Sequence, residues 1–439
     1  MNRVGSFLNN NISRWKQIRT QTTLFFNSAR MRVLYDQVID QCSANLVKHF
    51  ANNIGTDGQQ FAVKAEISRL TVDIFMGEAF TRDSHMGNYG DRDPDKHRQY
   101  WSLVAAGFRL DDEMKWRELN VRMPEFVQSV VNWLTGHNLC KSLGEVEHLI
   151  SGYLIERLEK PIGGDNTDKN ENLDIVGSYL KLIDKNVSLT DPLSIEMMSY
   201  YLVVQFLGLI GGTGDTLSEF VVHLARYPAV QKKMYNELAE ALENSDQQVV
   251  MDNIATTGAN SSSSSGSGSR GRRKLSYDTL TQLPYLDAVV KELFRINTAF
   301  RLSRVFAGSR DSEAARIFPG IRLAPGDRID VQLTTIHQSA ELFPRPDQFN
   351  PDRFLDPANE NRWSNLGSNT LLSFGQGPQM CCGTRLGLLV VKSFLSHMMY
   401  AYEFCLPPEP VDQSRPDWIK GLDVPENFYQ TKCCIKRRN

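Results

Sequence analysis

The densest chemistry in the chain lies in Phe374-Gly375-Gln376-Gly377-Pro378-Gln379-Met380-Cys381-Cys382-Gly383, directly before an amphipathic pattern from Thr384 to Tyr402. A cysteine held where a glycine-rich loop runs into a helix N-terminus meets converging backbone N–H groups and the positive end of the dipole. Both favour the thiolate, the form that binds metal or attacks carbon. Gly377 and Gly383 add little bulk, so a flat molecule can lie against the loop. The same residues are also compatible with a buried Cys pair in an ordinary loop. Three further groups carry charge at useful spacings. Glu292 and Arg295 stand three apart on a helical pattern and so share a face, an arrangement that is common on solvated surfaces. Arg353, in Phe349-Asn350-Pro351-Asp352-Arg353-Phe354, can complete a buried triad with them. Trp15 and Arg19 place an indole N–H and a guanidinium one turn apart, suited to a carboxylate. A thiol hydrolase built on Cys381 lacks a partner base, because the eight histidines, His337 and His397 among them, form no pattern that identifies one. His337 is expected to pack or cap after the β region.

The elements that must position these groups are mostly helical. Apolar residues recur at spacings of three and four in Trp15 to Phe50, Phe61 to Phe80, Met123 to Leu134, Leu143 to Leu158, Ile175 to Ile183, Leu193 to Ala225, Pro228 to Leu242 and Tyr277 to Phe294. Residues 87–96 and 163–172 read as polar loops. The Ser/Gly tract 258–273, ending in Arg270-Gly271-Arg272-Arg273, reads as a flexible insertion within one domain, 1–439. Short β-like runs, Arg304-Val305-Phe306 and Arg328 to Val331, are split by Pro319-Gly320 and Pro325-Gly326. The fold class is therefore mainly α with a small β region.

Composition narrows the functions. The 439 residues carry 49 Lys+Arg against 51 Asp+Glu, so the basic footprint of a nucleic-acid binder is absent. Hydrophobic residues at 41% support a deep core rather than disorder. The longest apolar run, Leu202 to Ile210, is interrupted by Gln205 and is too short to span a bilayer. Seven cysteines, with vicinal pairs at Cys381-Cys382 and Cys433-Cys434 and no CxxC, argue for a reducing compartment and against a disulfide framework or a zinc site.

In order and spacing these elements resemble the haem-thiolate enzymes of the cytochrome P450 superfamily, whose signature is FxxGxRxCxG preceded by ExxR and a Pro-x-Arg-Phe segment. Tyr277 to Asp287, Ala299 to Arg304 and Arg385 to Leu389 are similar to the microsomal group that contains the drug-metabolising family 3 enzymes and thromboxane synthase. The resemblance covers the chain from Trp15 onward and implies a cytochrome P450 fold. It implies haem b with Cys381 as the axial thiolate, and Cys382 in a variable position. Phe374, Gly377 and Gly383 would line the haem loop; Glu292, Arg295 and Arg353 would be the structural triad beneath it; Trp15, Arg19 and Arg304 would meet the propionates. Gln379 stands where the family usually has Arg, removing one cation from that side. In the family the WxxxR helix follows a membrane anchor, two helices and the first strands, so the chain is expected to be N-terminally incomplete.

On the long helix crossing the distal haem face the family carries [AG]-G-x-[DE]-T-[TS]. By appearance Gly212-Thr213-Gly214-Asp215-Thr216 fits, but counting back sixteen residues from Pro228 puts Gly211 and Gly212 at the acid and alcohol positions, with Thr213 last. Thr213, Asp215 and Thr216 are then the candidate proton-delivery residues, beside a helix widened by glycine. The implied activity is monooxygenation of a lipophilic small molecule. Electrons would come from NADPH through a separate cytochrome P450 reductase, with cytochrome b5 as an additional donor, because no GxGxxG strand–helix unit offers a nucleotide site here. The implied location is the cytosolic face of the endoplasmic reticulum membrane. Two alternatives stay open: a haem-thiolate isomerase of lipid peroxides, which needs no distal relay, and a non-catalytic truncated haem-binding isoform.

Overall fold

The computed structural model describes residues 19, 26–54, 57–80, 100–110, 139–159, 174–177, 192–257, 274–298, 302–306, 308–356, 370–378, 380–408 and 431–438. The expected helix at Met123 to Leu134, both polar loops, the Ser/Gly tract, Trp15 and Gln379 lie outside these residues.

The helical pattern from Trp15 to Phe50 is divided, with residue 19 helical and a turn at residue 26. The Asn27 side chain accepts from the Arg30 N–H at 2.9 Å, opening α1 (Ser28–Leu34), which continues through a π-helical turn (Tyr35–Ile39) into α2 (Asp40–His49). Phe61 and Ala62, expected to be helical, belong to β1 (Asp57–Ala62), and α3 (Val63–Phe80) starts after it. Then come a helical stretch, 100–110, and α4 (Leu139–Glu159).

The pattern from Leu193 to Ala225 is a continuous helical rod in three parts: α5 (Pro192–Leu207), a π-helical segment (Gly208–Gly214) and α6 (Asp215–Leu224). Gly208, Gly211, Gly212 and Gly214 crowd into that middle segment. Each glycine costs about 1 kcal/mol in a helix interior relative to Ala, so the regular α-helical spacing is weakly held there and the wider turn becomes accessible. The rod packs along α3: Phe75 meets Phe206 at a ring distance of 5.0 Å, and Lys64 pairs with Asp215 at 2.7 Å.

After α6, α7 (Pro228–Thr257) runs well beyond its expected end at Leu242. The pattern from Tyr277 to Phe294 divides into α8 (Tyr277–Gln282) and α9 (Pro284–Ile296), because Pro284 removes a helical donor and fixes a new first turn. Glu237 on α7 caps that turn, accepting from the N–H groups of Tyr285 and Leu286 at 2.6 and 2.8 Å. The β region forms as expected: β2 (Leu302–Val305) pairs with β5 (Arg328–Val331), and between them β3 (Arg316–Phe318) and β4 (Ile321–Arg322) make a hairpin around Pro319-Gly320. The short α10 (Leu333–His337) follows.

The last long helix, α11 (Thr384–Ala401), turns directly into β6 (Tyr402–Cys405). β6 joins β7 (Lys432–Arg437) and β1 in an antiparallel sheet of order β1-β7-β6, which the sequence pattern did not signal. The main core runs between α3, the α5–α6 rod, α9 and α11, and no helix among the described residues is long and apolar enough to cross a membrane.

Candidate active site

At the centre of the site is a buried charge cluster on α9. Arg295 donates to Glu292 through Nε at 2.8 Å and Nη2 at 2.9 Å, and Arg353 donates through Nε at 3.2 Å. The three residues are 0%, 1% and 7% exposed for Glu292, Arg295 and Arg353. Two guanidinium groups thus share one carboxylate in the interior, a state that is stable only if the spare N–H groups find acceptors. They do. Arg295 donates to the carbonyls of His337, Pro346 and Gln348, and Arg353 to those of Pro344, Arg345 and Gln348, at 2.7–3.2 Å. Glu292 also accepts from the Asn350 N–H at 2.8 Å. The triad therefore pins the whole meander from His337 to Arg353 onto α9.

His337 carries this order to the cysteine loop. Its Nε2 accepts from the Leu372 N–H at 3.0 Å, which leaves the proton of the neutral ring on Nδ1, 2.5 Å from Thr298 Oγ1. Thr298 in turn donates to Phe294 O at 2.6 Å. Burial, with Arg295 close by, holds the imidazole pKa down at about 4. Ser373 adds a second tie, donating to Phe294 O at 3.1 Å, and the Phe374 ring packs on Phe294 at 4.9 Å. No spacing in the sequence marked His337 for this role; it is legible only once α10 is seen to bring the ring against Leu372.

The loop itself closes through Gly375 N–H to Leu372 O at 2.8 Å and Cys381 N–H to Phe374 O at 2.9 Å. Gly377 adopts a left-handed φ of 77°, where a side chain would be strained, and nothing stands within 4 Å of the position its Cβ would take. Arg19 reaches the loop from the far end of the sequence, donating to Met380 O at 2.5 Å. Cys381 is exposed and Cys382 less so. Neighbouring chain still desolvates the Cys381 thiol enough to raise its pKa, against which the Gly383 N–H, the Thr384 hydroxyl and the Arg19 charge pull it down. Cys382 is pushed up to about 11 by burial and by Cys381. Of the two, Cys381 is the better placed to be a thiolate.

The π-helical segment packs against the helix that follows the cysteine loop. A Cβ on Gly387 of α11 would lie 3.7 Å from Phe374 Cε1 and 3.8 Å from Thr213 Oγ1, so Thr213 and the cysteine loop converge on one turn of α11. The other two distal candidates turn elsewhere. Asp215 pairs with Lys64 of α3, and the Thr216 hydroxyl donates to Gly212 O at 2.6 Å. Arg304 stands on β2 opposite Ile329.

A family model for cytochrome P450 matches residues 1–257 and 267–432. The chain belongs to the cytochrome P450 family. It is 25% identical over 419 residues to cytochrome P450 3A28 of Bos taurus, covering 94% of this chain and 71% of the relative. Cytochrome P450 3A14 of Cavia porcellus is 24% identical over 400 residues (89% and 68%), and cytochrome P450 71B20 of Arabidopsis thaliana 24% over 340 residues (77% and 59%). The mainly helical fold with its small sheets is that of this family, and the protein is a cytochrome P450 monooxygenase, an oxidoreductase whose family cofactor is haem held by a cysteine thiolate. The residues present fit that group. An exposed thiol at Cys381 and, in the same loop, a left-handed Gly377 with open space where its Cβ would stand leave room for a flat macrocycle held by a thiolate.

Proposed function

We propose that this P450 binds haem b through Cys381 and inserts one oxygen atom from O2 into a lipophilic small molecule. NADPH would supply electrons through a separate cytochrome P450 reductase, with cytochrome b5 as an additional donor. The membrane assignment, the cytosolic face of the endoplasmic reticulum, belongs to the same proposal and rests on likeness to microsomal relatives. The observation that carries the reading is the tying of the Cys381 loop to a buried triad through His337, with Thr213 and Phe374 of that loop meeting at Gly387 of α11.

When bound, the haem supplies oxygen activation, and thiolate ligation favours O–O cleavage. This chain's residues do the rest. Glu292, Arg295, Arg353 and His337 hold the loop that fixes the Cys381 sulfur. Phe374 and Gly377 would shape the loop surface toward the macrocycle, and Gly383 caps the start of α11 beside the Cys381 sulfur. Arg19, with Trp15, Arg304 and Gln379 as further candidates, offers positive charge or hydrogen bonds to its carboxylates. Thr213 Oγ1 is the proton donor on the distal side. A supporting relay through Asp215 and Thr216 would first have to release Lys64 and the Gly212 carbonyl.

That last arrangement favours a second reading. An isomerase of lipid peroxides needs no acid–alcohol relay, and here the Asp215 and Thr216 side chains are engaged by other partners. The test of the ligand is the carbonyl spectrum of the reduced haem protein. Cys381→Ser should abolish the thiolate-type Soret band and Cys382→Ser should leave it, and the reverse result would overturn the assignment. Turnover of a lipid peroxide without NADPH, and none of any lipophilic substrate with reductase and NADPH, would replace monooxygenation by isomerisation.

A further inference from the structure

The haem site leaves the vicinal pair Cys433-Cys434 unused. Antiparallel pairing of β6 with β7 sets Cys405 directly opposite Cys434. The type of pair follows from its neighbours. The Arg438 N–H donates to Ala401 O at 2.9 Å, while the N–H and C=O of Phe404 both turn away from β7 to the Gln231 amide, at 2.8 and 2.9 Å. Alternation along the ladder therefore makes Cys405 and Cys434 a hydrogen-bonded pair, whose Cα atoms stand about 5.5 Å apart. That Cα separation lies within the range across a disulfide, while the Cβ atoms of a hydrogen-bonded pair, at the wide end of about 4.5–5.5 Å, must close to about 3.5–4.5 Å as the bond forms. The Cys434 S–H donates to Gly58 O of β1 at 3.2 Å, so bridging requires that side chain to leave the carbonyl and turn toward Cys405. Cys433 instead belongs to the core and gives its S–H to Cys405 O at 3.1 Å. Cys405 is half-buried, which gives the pair a side open to reagents, and all three are free thiols.

We infer that Cys405 and Cys434 form a redox modification site, a cross-strand dithiol that a small disulfide such as oxidised glutathione closes to a protein disulfide. The Cys405 thiolate attacks one sulfur of the reagent, breaking its S–S bond and releasing one glutathione thiolate. The Cys434 thiolate then attacks the Cys405 sulfur of the mixed disulfide and releases the second. Two protein thiols are oxidised and one reagent disulfide is reduced to two thiols, which take up the two protons. Because β6 continues directly from α11, the bond staples β7 to the strand that extends the helix after Cys381. Burial raises the pKa of both thiols, Cys434 to about 11, so exchange is slow at neutral pH.

The haem-loaded chain is incubated with oxidised glutathione at about pH 8.5, where thiolate is more abundant, quenched with a maleimide, digested without reductant and mapped by mass spectrometry. Trypsin cuts after Lys432 and Lys436, so Cys433 and Cys434 share a peptide and the Cys433→Ser variant resolves them. The expected result is a loss of two hydrogens and a bridged pair of peptides containing Cys405 and Cys434. The bridge should appear in wild type and Cys433→Ser, vanish in Cys405→Ser and Cys434→Ser, and be reversed by dithiothreitol. A glutathione adduct that stays on Cys405 without closure, a bridge that survives in Cys434→Ser, or no reaction at all would overturn the inference. If Cys434→Ser does not fold, the wild-type and Cys433→Ser maps decide alone.

Discussion

Replacing Glu292 by glutamine keeps the side-chain volume and removes only the charge and two acceptor sites. In the native protein its carboxylate accepts from Arg295 twice, from Arg353 and from the Asn350 N–H, all in surroundings closed to water. Glutamine offers one oxygen in place of two and turns an NH2 group toward guanidinium donors. Two cations are left with carbonyl partners but no counter-charge. Breaking a buried ion pair on one side costs about 3–5 kcal/mol, and the shared geometry puts Glu292→Gln in that range. Urea unfolding of the haem-loaded protein, followed by far-UV circular dichroism, should show a lower midpoint with an unchanged slope. Met in place of Arg353 in the same background should recover part of the loss, because it removes one of the two uncompensated cations. A Glu292→Gln protein within about 1 kcal/mol of wild type, the level of an exposed pair, would refute the argument that the triad is an interior strut.

Three further outcomes follow from the site. His337 has a folded pKa near 4 against 6.5 for the free side chain, so the unfolded chain binds more protons between those values, and the stabilisation is complete above pH 6.5 and lost as pH falls toward 4. The contribution is about 3 kcal/mol at 1.36 kcal/mol per pH unit; His337→Gln keeps an acceptor for the Leu372 N–H and should flatten that acid limb, and an unchanged limb in denaturant titrations at several pH values would count against the tautomer assigned. With reductase present, Thr213→Ala should uncouple NADPH use from product and release hydrogen peroxide, Thr216→Ala should do so less, and equal coupling in both variants would remove Thr213 from proton delivery. Deleting 258–273 should change stability little, since loop length enters at about 0.6 kcal/mol per doubling, and a large fall in melting temperature would contradict the reading of that tract as an insertion.

Much of the site was legible in the residues themselves, because its parts are local. The cysteine loop followed by a helix, the i, i+3 pair Glu292 and Arg295, and the glycine cluster on the distal rod are patterns within a few residues, and each formed where its spacing put it. The class of fold was also local information, since amphipathic periods dominate the chain. Some elements obeyed sterics that periodicity does not see. Pro284 divided one expected helix in two, and Asn27, by satisfying the Arg30 N–H, opened a new helix inside the Trp15 to Phe50 pattern.

What only the tertiary structure decided are contacts between segments far apart in the chain. The sheet β1-β7-β6 unites residues near 60 with residues near 405 and 435, and β6 is four residues long with only Phe404 and Cys405 to mark it as apolar after Tyr402. Glu292 and Arg295 would be a surface pair on an isolated helix. They become a strut because the meander from His337 to Arg353 folds over them and supplies carbonyl acceptors that no pairwise spacing encodes. Thr213, Asp215 and Thr216 look equivalent within a single turn of sequence. Packing gives the first a place against α11 and the second Lys64 of α3, while the third keeps a local partner, the Gly212 carbonyl four residues back. Local spacing fixes which side chains share a face, and packing fixes what that face meets.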